Sequence, residues 1–368
     1  MATPVNTQIR VGIIGAGLIG QTHSMMLRYV ADSTEQSVRV TAVADVAHRA
    51  AEQLAARWQG ARVVESAAEI IADPSIDAVW ICTPTAMHAD VCIAAARAGK
   101  HIFCEKPLAM TSAQAAEMDA AIKSAGVMSQ VGLVLRFSPV YTVIKSMFET
   151  VDAGRVLSVA MRDDQDFPTR GVHASAWRND PSLTAGGTLV EHSVHDFDLL
   201  TWMFGPIANL NCRISNLNGA AGVEDFGSTQ MEFARGFHGQ LTSVWHRMMG
   251  RSSNRRLEVF AENLYVASDF DTLGPIVFQR GSSANEETIP EAEVMARFTE
   301  IILRERPYLA PIKDRFAIPY AAEDATFIAA LKGVCTPNPE FSAGVAVQRI
   351  VEAAYESART GIPVQIKS

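Results

Sequence analysis

Ile9-Arg10-Val11-Gly12-Ile13-Ile14-Gly15-Ala16-Gly17-Leu18-Ile19-Gly20 is the stretch that decides the fold class. Its apolar run reads as a buried strand at residues 9–14, and the periodic segment 18–29 reads as the helix that follows. Three glycines in G-x-G-x-x-G spacing join the two. Glycines fall into that spacing by chance in many chains, so alone it is a weak signal; between a strand and a helix it has a mechanism. Gly15 permits the tight turn, Gly17 lets a pyrophosphate approach the backbone, and Gly20 lets the helix pack closely on the strand. With Ala16, Leu18 and Ile19 they form a loop whose free N–H groups face a phosphate.

A second strand, 38–44, ends at Asp45, about where an acid bonds the adenosine ribose hydroxyls of a dinucleotide. A carboxylate there repels a 2′-phosphate, which favours NAD over NADP, although Arg49 one turn on leaves NADP open. The rhythm continues with a helix at 48–57, strands at 77–81, 101–104 and 128–132, and helices at 86–98 and 112–124. The last two close near Gly99 and Gly126. Such alternation predicts an α/β domain with a parallel sheet.

Two more loops leave strands at the carboxyl edge, where ligands of open α/β sheets gather. The first is Cys82-Thr83-Pro84-Thr85, with Met87-His88 starting a helix. Thr83 and Pro84 are expected beside the cofactor, and His88 reads as a helix-start group against this loop or the cofactor phosphate. The second is Glu105-Lys106-Pro107. Lys106 reads in two ways: as an ammonium aimed at a substrate hydroxyl, partial desolvation lowering its pKa, or as a surface lysine paired to Glu105.

Beyond about residue 135 strands dominate, at 156–161, 208–217, 227–233, 236–245 and 257–261. Ala234-Arg235-Gly236 splits two of them as a hairpin turn would. Helices are predicted at 189–204, 292–304 and 345–360. The expected architecture is therefore a dinucleotide-binding domain over 1–133 and an α+β domain over 134–368, with the last helix free to pack back on the first domain. In Gly186-Gly187-Thr188-Leu189-Val190-Glu191-His192-Ser193-Val194-His195-Asp196-Phe197-Asp198, the spacing puts Glu191, His195 and Asp198 on one face of a helix. A carboxylate beside an imidazole raises its basicity, as proton transfer near neutral pH requires; a satisfied buried polar cluster is the other reading. Trp177 and Arg178, in the polar stretch 169–181, read as substrate contacts or as ordinary packing and a surface charge. Asp163, Asp164 and Asp166 have the composition of metal ligands but read as a solvated strand edge, and no metal is expected.

Composition narrows the class. The 368 residues are 48% hydrophobic and 20% charged, an ordinary globular balance. A formal net charge of -8 without a basic run argues against a nucleic-acid partner. The first residues lack the charged and apolar regions of a secretory signal, and no apolar run is long enough for a membrane helix. The 5 cysteines are scattered, with no CxxC pair, which fits a reducing cytoplasm better than a disulfide framework or a zinc site.

Taken in order, Gly15-Ala16-Gly17-Leu18-Ile19-Gly20, Cys82-Thr83-Pro84-Thr85-Ala86-Met87-His88 and Ala98-Gly99-Lys100-His101-Ile102-Phe103-Cys104-Glu105-Lys106-Pro107 resemble the glucose–fructose oxidoreductase, inositol dehydrogenase and rhizopine-catabolism (Gfo/Idh/MocA) family. The likeness extends through Gly186-Gly187 with His195 and to Val351-Glu352-Ala353-Ala354-Tyr355-Glu356-Ser357-Ala358. It is faintest from about residue 246 to 340. The resemblance implies an N-terminal Rossmann domain and a C-terminal domain with an open, mainly antiparallel sheet that serves subunit pairing, in a homodimer or homotetramer. It implies hydride transfer between NAD(P) and a hydroxyl or ketone of a sugar, sugar derivative or cyclitol. Lys106 and His195 then act on the substrate, with Glu191 orienting the substrate or His195. His195 and Asp198 match the family's helix, while Glu191 stands where Asp is usual and Ser193 where Gly is usual, which leaves the reach of the Glu191 carboxylate open. An NAD-dependent glycosidase using transient oxidation and a non-catalytic sugar-sensing regulator are the rival readings on the same fold. Retention of both Lys106 and His195 speaks against the sensor.

Overall fold

The computed structural model describes residues 8–34, 37–169, 175–217, 221–248, 251, 253–281, 283, 285–310, 312, 314 and 317–366. The chain divides into two compact units. One runs to Phe137 and takes in Glu305–Val345; the other comprises Ser138–Arg304 and the chain from Ala346 onward.

The first unit opens with β1 (Ile9–Ile14), α1 (Leu18–Ser33), β2 (Val38–Ala44), α2 (His48–Ala55), β3 (Arg62–Val64), α3 (Ala67–Ala72), β4 (Ala78–Ile81), α4 (His88–Arg97), β5 (His101–Cys104), α5 (Ser112–Ala125) and β6 (Ser129–Val131). Its strands form a parallel sheet in the order β3-β2-β1-β4-β5-β6. Covered on both faces, these strands carry nearly unbroken apolar runs, and all four residues of β4 are buried. Strand order reverses between β1 and β4, the crevice where such sheets take their ligands. The strand ends are stitched together. Gly15 N–H donates to the Ala44 carbonyl (2.9 Å), Cys82 N–H to Ile14 (2.7 Å) and Glu105 N–H to Ile81 (3.0 Å). The loops after β1, β4 and β5 thus leave from one rigid edge.

The second unit contains α6 (Pro139–Thr150), β7 (Val156–Asp166), α7 (Thr188–Glu191), α8 (Ser193–Phe204), β8 (Ile207–Ser215), β9 (Phe226–Phe233), β10 (His238–His246), β11 (Asn254–Ala261), β12 (Leu264–Ser268), β13 (Ile276–Arg280), β14 (Glu287–Ile289) and α9 (Glu291–Glu305). There follow α10 (Ile318–Leu331), in the first unit, α11 (Phe341–Thr360), assigned to the first unit as far as Val345 and to the second from Ala346, and β15 (Val364–Gln365), in the second. Among the described residues the second unit's sheet has the order β14-β13-β12-β11-β7-β10-β9-β8-β15. Only β7 and β10 pair in parallel, so the sheet is mainly antiparallel. Buried and open positions alternate along β9, as expected of a sheet packed on one face. The turn at Ala234-Arg235-Gly236 joins β9 to β10 with Gly236 at φ +86°, a left-handed conformation that glycine adopts without strain. No helix among the described residues is long and apolar enough to cross a membrane.

Two expectations are corrected. The helix predicted over 189–204 is two helices, broken at His192 (φ -116°, ψ -52°), so Glu191 and His195 do not lie on one continuous face. The aspartates of β7 are not a solvated edge either: Asp163 and Asp164 are 0% and 5% exposed, because β7 is an inner strand between β11 and β10. Arginines face both carboxyl groups. Arg251 Nη2 and Arg162 Nε donate to Asp164 Oδ2 at 2.7 and 2.9 Å, and Arg255 lies 3.5 Å from Asp163.

Burial, the largest effect, pushes the Asp163 carboxyl up to about 8. Arg255 opposes the shift, and the charges of Asp196 and Asp271 reinforce it. The consequence for stability has a definite sign. In the unfolded chain the group ionises near its reference value of 3.8. The folded protein therefore holds one more proton than the unfolded chain between that pH and about 8, and stability must fall as pH rises through this window. Asp163→Asn removes this contribution to the slope. Denaturant unfolding of both proteins across pH 4 to 8 is expected to show the wild type losing stability relative to the variant; parallel curves would contradict the assignment.

Candidate active site

The phosphate loop is shaped by three glycines with three different tasks. Gly15 sits at φ +100°, and a Cβ there would lie 2.5 Å from the Cys82 carbonyl oxygen. A Cβ at Gly20 would collide with the Gly15 carbonyl oxygen, so only glycine lets α1 seat so near the turn. Around the Cβ position of Gly17 nothing lies within 4 Å. That open side is where a pyrophosphate fits. Gly17 is the N-cap of α1 without any side-chain cap, and the first turn holds no acid, so its N–H groups and the positive end of the helix dipole suit an anion. Asp45 braces the loop: its Oδ2 accepts from Ala16 N–H and its Oδ1 from Ala47 N–H, both at 2.6 Å. Oxygen lone pairs remain for a ribose hydroxyl. These residues fit a dinucleotide.

The neighbouring loops are fixed from below. His88, 1% exposed, sets Nε2 against the Thr83 carbonyl (2.8 Å) and Nδ1 against the Pro107 carbonyl (2.9 Å). It ties the Thr83-Pro84 loop to the Glu105-Lys106-Pro107 loop. Glu105 is buried, and its Oε2 accepts from the Lys106 backbone N–H at 3.0 Å. Lys106 itself is half-buried at the end of β5. Beneath them His23, on α1, bridges two carboxylates: Nε2 to Glu105 Oε1 and Nδ1 to Asp324 Oδ1, each 2.9 Å. Burial, the largest effect, opposes charge on His23. The charge and hydrogen bond of Asp324 and those of Glu105 outweigh it and hold the pKa well above 6.5. Both ring nitrogens face carboxylate oxygens, an arrangement that favours the protonated ring.

In the second unit the two short helices are anchored separately. The Glu224 carboxylate accepts from the Gly187 and Leu189 N–H groups (2.7 and 3.0 Å) and from the Tyr355 hydroxyl (2.8 Å), which fastens the start of α7. Burial, the largest effect, pushes the Glu224 carboxyl upward, while those three donors resist the shift. Arg255 Nε donates to Asp196 Oδ1 at 2.8 Å and holds the first turn of α8. His195 lies in that turn, 9% exposed, with Asp198 buried one turn on. Ser193 Oγ bonds Ser243 Oγ of β10. Glu191 is paired across the chain: Arg178 Nε donates to its Oε2 at 3.0 Å, and the same guanidinium stands 5.1 Å from the Trp177 ring centroid. Thus Trp177, Arg178 and Glu191 form one cluster. Of the predicted stretch 169–181, residues 170–174 lie outside the described residues.

His23, Asp324, Glu224, Arg255 and Tyr355 are supporting residues that sequence reasoning did not single out. Tyr355 lay within a quoted motif and His23 three residues past Gly20. Nothing local marks Asp324, Glu224 or Arg255, whose partners are remote in sequence.

The description "oxidoreductase family, NAD-binding Rossmann fold" matches residues 9–133, and the Gfo/Idh/MocA C-terminal domain matches residues 141–266. The chain belongs to the Gfo/Idh/MocA oxidoreductase family. It is 26% identical to scyllo-inositol 2-dehydrogenase (NAD(+)) of Bacillus subtilis, over 95% of this chain and 98% of that protein. It is 30% identical to levoglucosan dehydrogenase of Pseudarthrobacter phenanthrenivorans, over 63% of this chain and 60% of that one. A solved structure of levoglucosan dehydrogenase in complex with NADH and levoglucosan shares the fold, with a TM-score of 0.86 and 24% identity, covering 98% of this chain and 100% of that one. Its first unit matches the family's NAD-binding domain, so NAD is its cofactor.

Proposed function

We propose that the protein is an NAD-dependent dehydrogenase that oxidises a hydroxyl of a sugar, sugar derivative or cyclitol. The observation that carries this reading is the open, uncapped phosphate loop on the same strand-end edge as Lys106. Family membership supports it, as do relatives that bear the names of inositol and levoglucosan dehydrogenases. Gly15, Ala16, Gly17, Leu18, Ile19 and Gly20 hold the pyrophosphate, Asp45 the adenosine ribose, and Thr83, Pro84 and Glu105 the border of the nicotinamide half, with His88 bracing them. NAD, when bound, supplies the hydride acceptor. His195 takes the proton of the reacting hydroxyl, and Lys106 steadies the oxygen as its charge builds. Glu191, Arg178 and Trp177 contact the remaining hydroxyls.

We place the enzyme in the cytoplasm, where its 5 free cysteines stay reduced. We further read it as a homodimer or homotetramer paired through the second unit's sheet, whose open face supports this. The test is a panel of myo-inositol, scyllo-inositol, levoglucosan and common aldoses with NAD or NADP, followed by NADH absorbance. At least one polyol or sugar is expected to reduce NAD, and faster than it reduces NADP. Absence of reduction across the panel, with no NAD binding, would overturn the reading.

A further inference from the structure

We propose that His23 is a positioning residue for Lys106: held between Asp324 and Glu105, it fixes the carboxylate that takes the Lys106 N–H and so sets where the Lys106 side chain starts. The inference rests on the reading of Lys106 as the group that meets the substrate.

The chain of contacts is continuous. Trp80 Nε1 donates to Asp324 Oδ1 at 2.9 Å, and the same oxygen takes His23 Nδ1. His23 Nε2 donates to Glu105 Oε1, and Glu105 Oε2 accepts from Lys106 N–H. Gly132 makes room for this carboxylate, since a Cβ there would lie 2.7 Å from Glu105 Oε1. Everything in the chain is buried: His23 and Asp324 are 0% exposed and Glu105 5%. Rings close the remaining sides, with Phe103 and Tyr320 at 4.8 and 5.8 Å from the imidazole. The groups that face His23 are Glu105 and Phe103 of the β5 edge and Asp324, Tyr320 and Glu323 of α10, with Trp80 of β4 on Asp324 and the Cys82 thiol near Glu105 and Asp324. A buried carboxylate without its partner is costly. A neutral or missing side chain at 23 therefore releases Glu105 from the position in which it takes the Lys106 N–H.

Because His23 belongs to α1, whose N-terminus carries the phosphate loop, a change there would also disturb the fold in a trivial way. The experiment separates the two. His23→Gln keeps one donor and the volume, and is made alone and with Lys106→Ala. We expect His23→Gln to lower kcat by about tenfold or more in the wild-type background, one charged hydrogen bond's worth, and by less than about twofold once Lys106 is gone. Equal losses in both backgrounds, or no loss in the first, would overturn the proposal. If Lys106→Ala alone leaves kcat intact, the functional reading fails and not this contact chain. Amide exchange checks the chain without any turnover: the Lys106 N–H is expected to exchange about tenfold faster in the variant. Unchanged exchange would also overturn it. Should His23→Gln not fold, Asp324→Asn takes its place. Loss of that carboxylate lowers the pH at which His23 gives up its proton, so kcat should fall off at a lower pH than in the wild type. An unmoved high-pH limb counts against the proposal.

Discussion

His195→Gln is expected to lower kcat by about 10² to 10⁴-fold, the range that removal of a general base spans. Gln can accept a hydrogen bond but cannot take up and pass on a proton near neutral pH. The first turn of α8 is held by the Arg255–Asp196 bond, and Gln keeps a polar side chain of similar size at 195, so the variant is expected to fold. NAD affinity should stay within a few-fold, since every residue proposed to hold the cofactor lies in the first unit. Added imidazole should restore part of the rate. A variant whose kcat stays within about twofold would remove His195 from the mechanism.

Lys106→Met is the second large effect. The thioether keeps most of the stem and its packing but carries no charge. A fixed cation beside an oxygen that gains negative charge contributes about 10² to 10³-fold when removed, and the loss should appear in kcat/KM with various polyols alike. The backbone N–H of residue 106 still reaches Glu105, so the loop itself should keep its place. Lys106→Arg should not rescue the rate, because a planar fork cannot put a point charge where the ammonium sits. Fluorescence titration with NADH would show whether binding survives; a Lys106→Met protein with full kcat/KM would count against the assignment.

The first unit was largely legible because its signals are local. The strands over 9–14, 38–44 and 101–104 fall where the apolar runs put them, and the glycine spacing carries its mechanism in a dozen residues. The second unit was harder. Periodicity over 189–204 read as one helix, yet α7 is pinned by Glu224, before β9, and α8 by Arg255 of β11, and the axis breaks at His192 between them. Asp163 and Asp164 looked solvated, because the strands that cover β7 and the arginines that face these two residues, Arg255 and Arg251, come from later in the chain. The return of residues 305–345 to the first unit, which delivers Asp324 to His23, left no local mark at all. Charge pairs that close over long stretches of chain are visible only once the fold exists.

The central claim is that hydride passes between a substrate carbon and NAD on this protein. The direct measurement uses the best polyol from the panel, deuterated at its carbinol carbons. The account predicts NADH carrying one deuterium, formed in step with ketone and at least about a hundredfold more slowly with His195→Gln. Unlabelled NADH, or a sugar cleaved while NAD is returned unchanged, would contradict it.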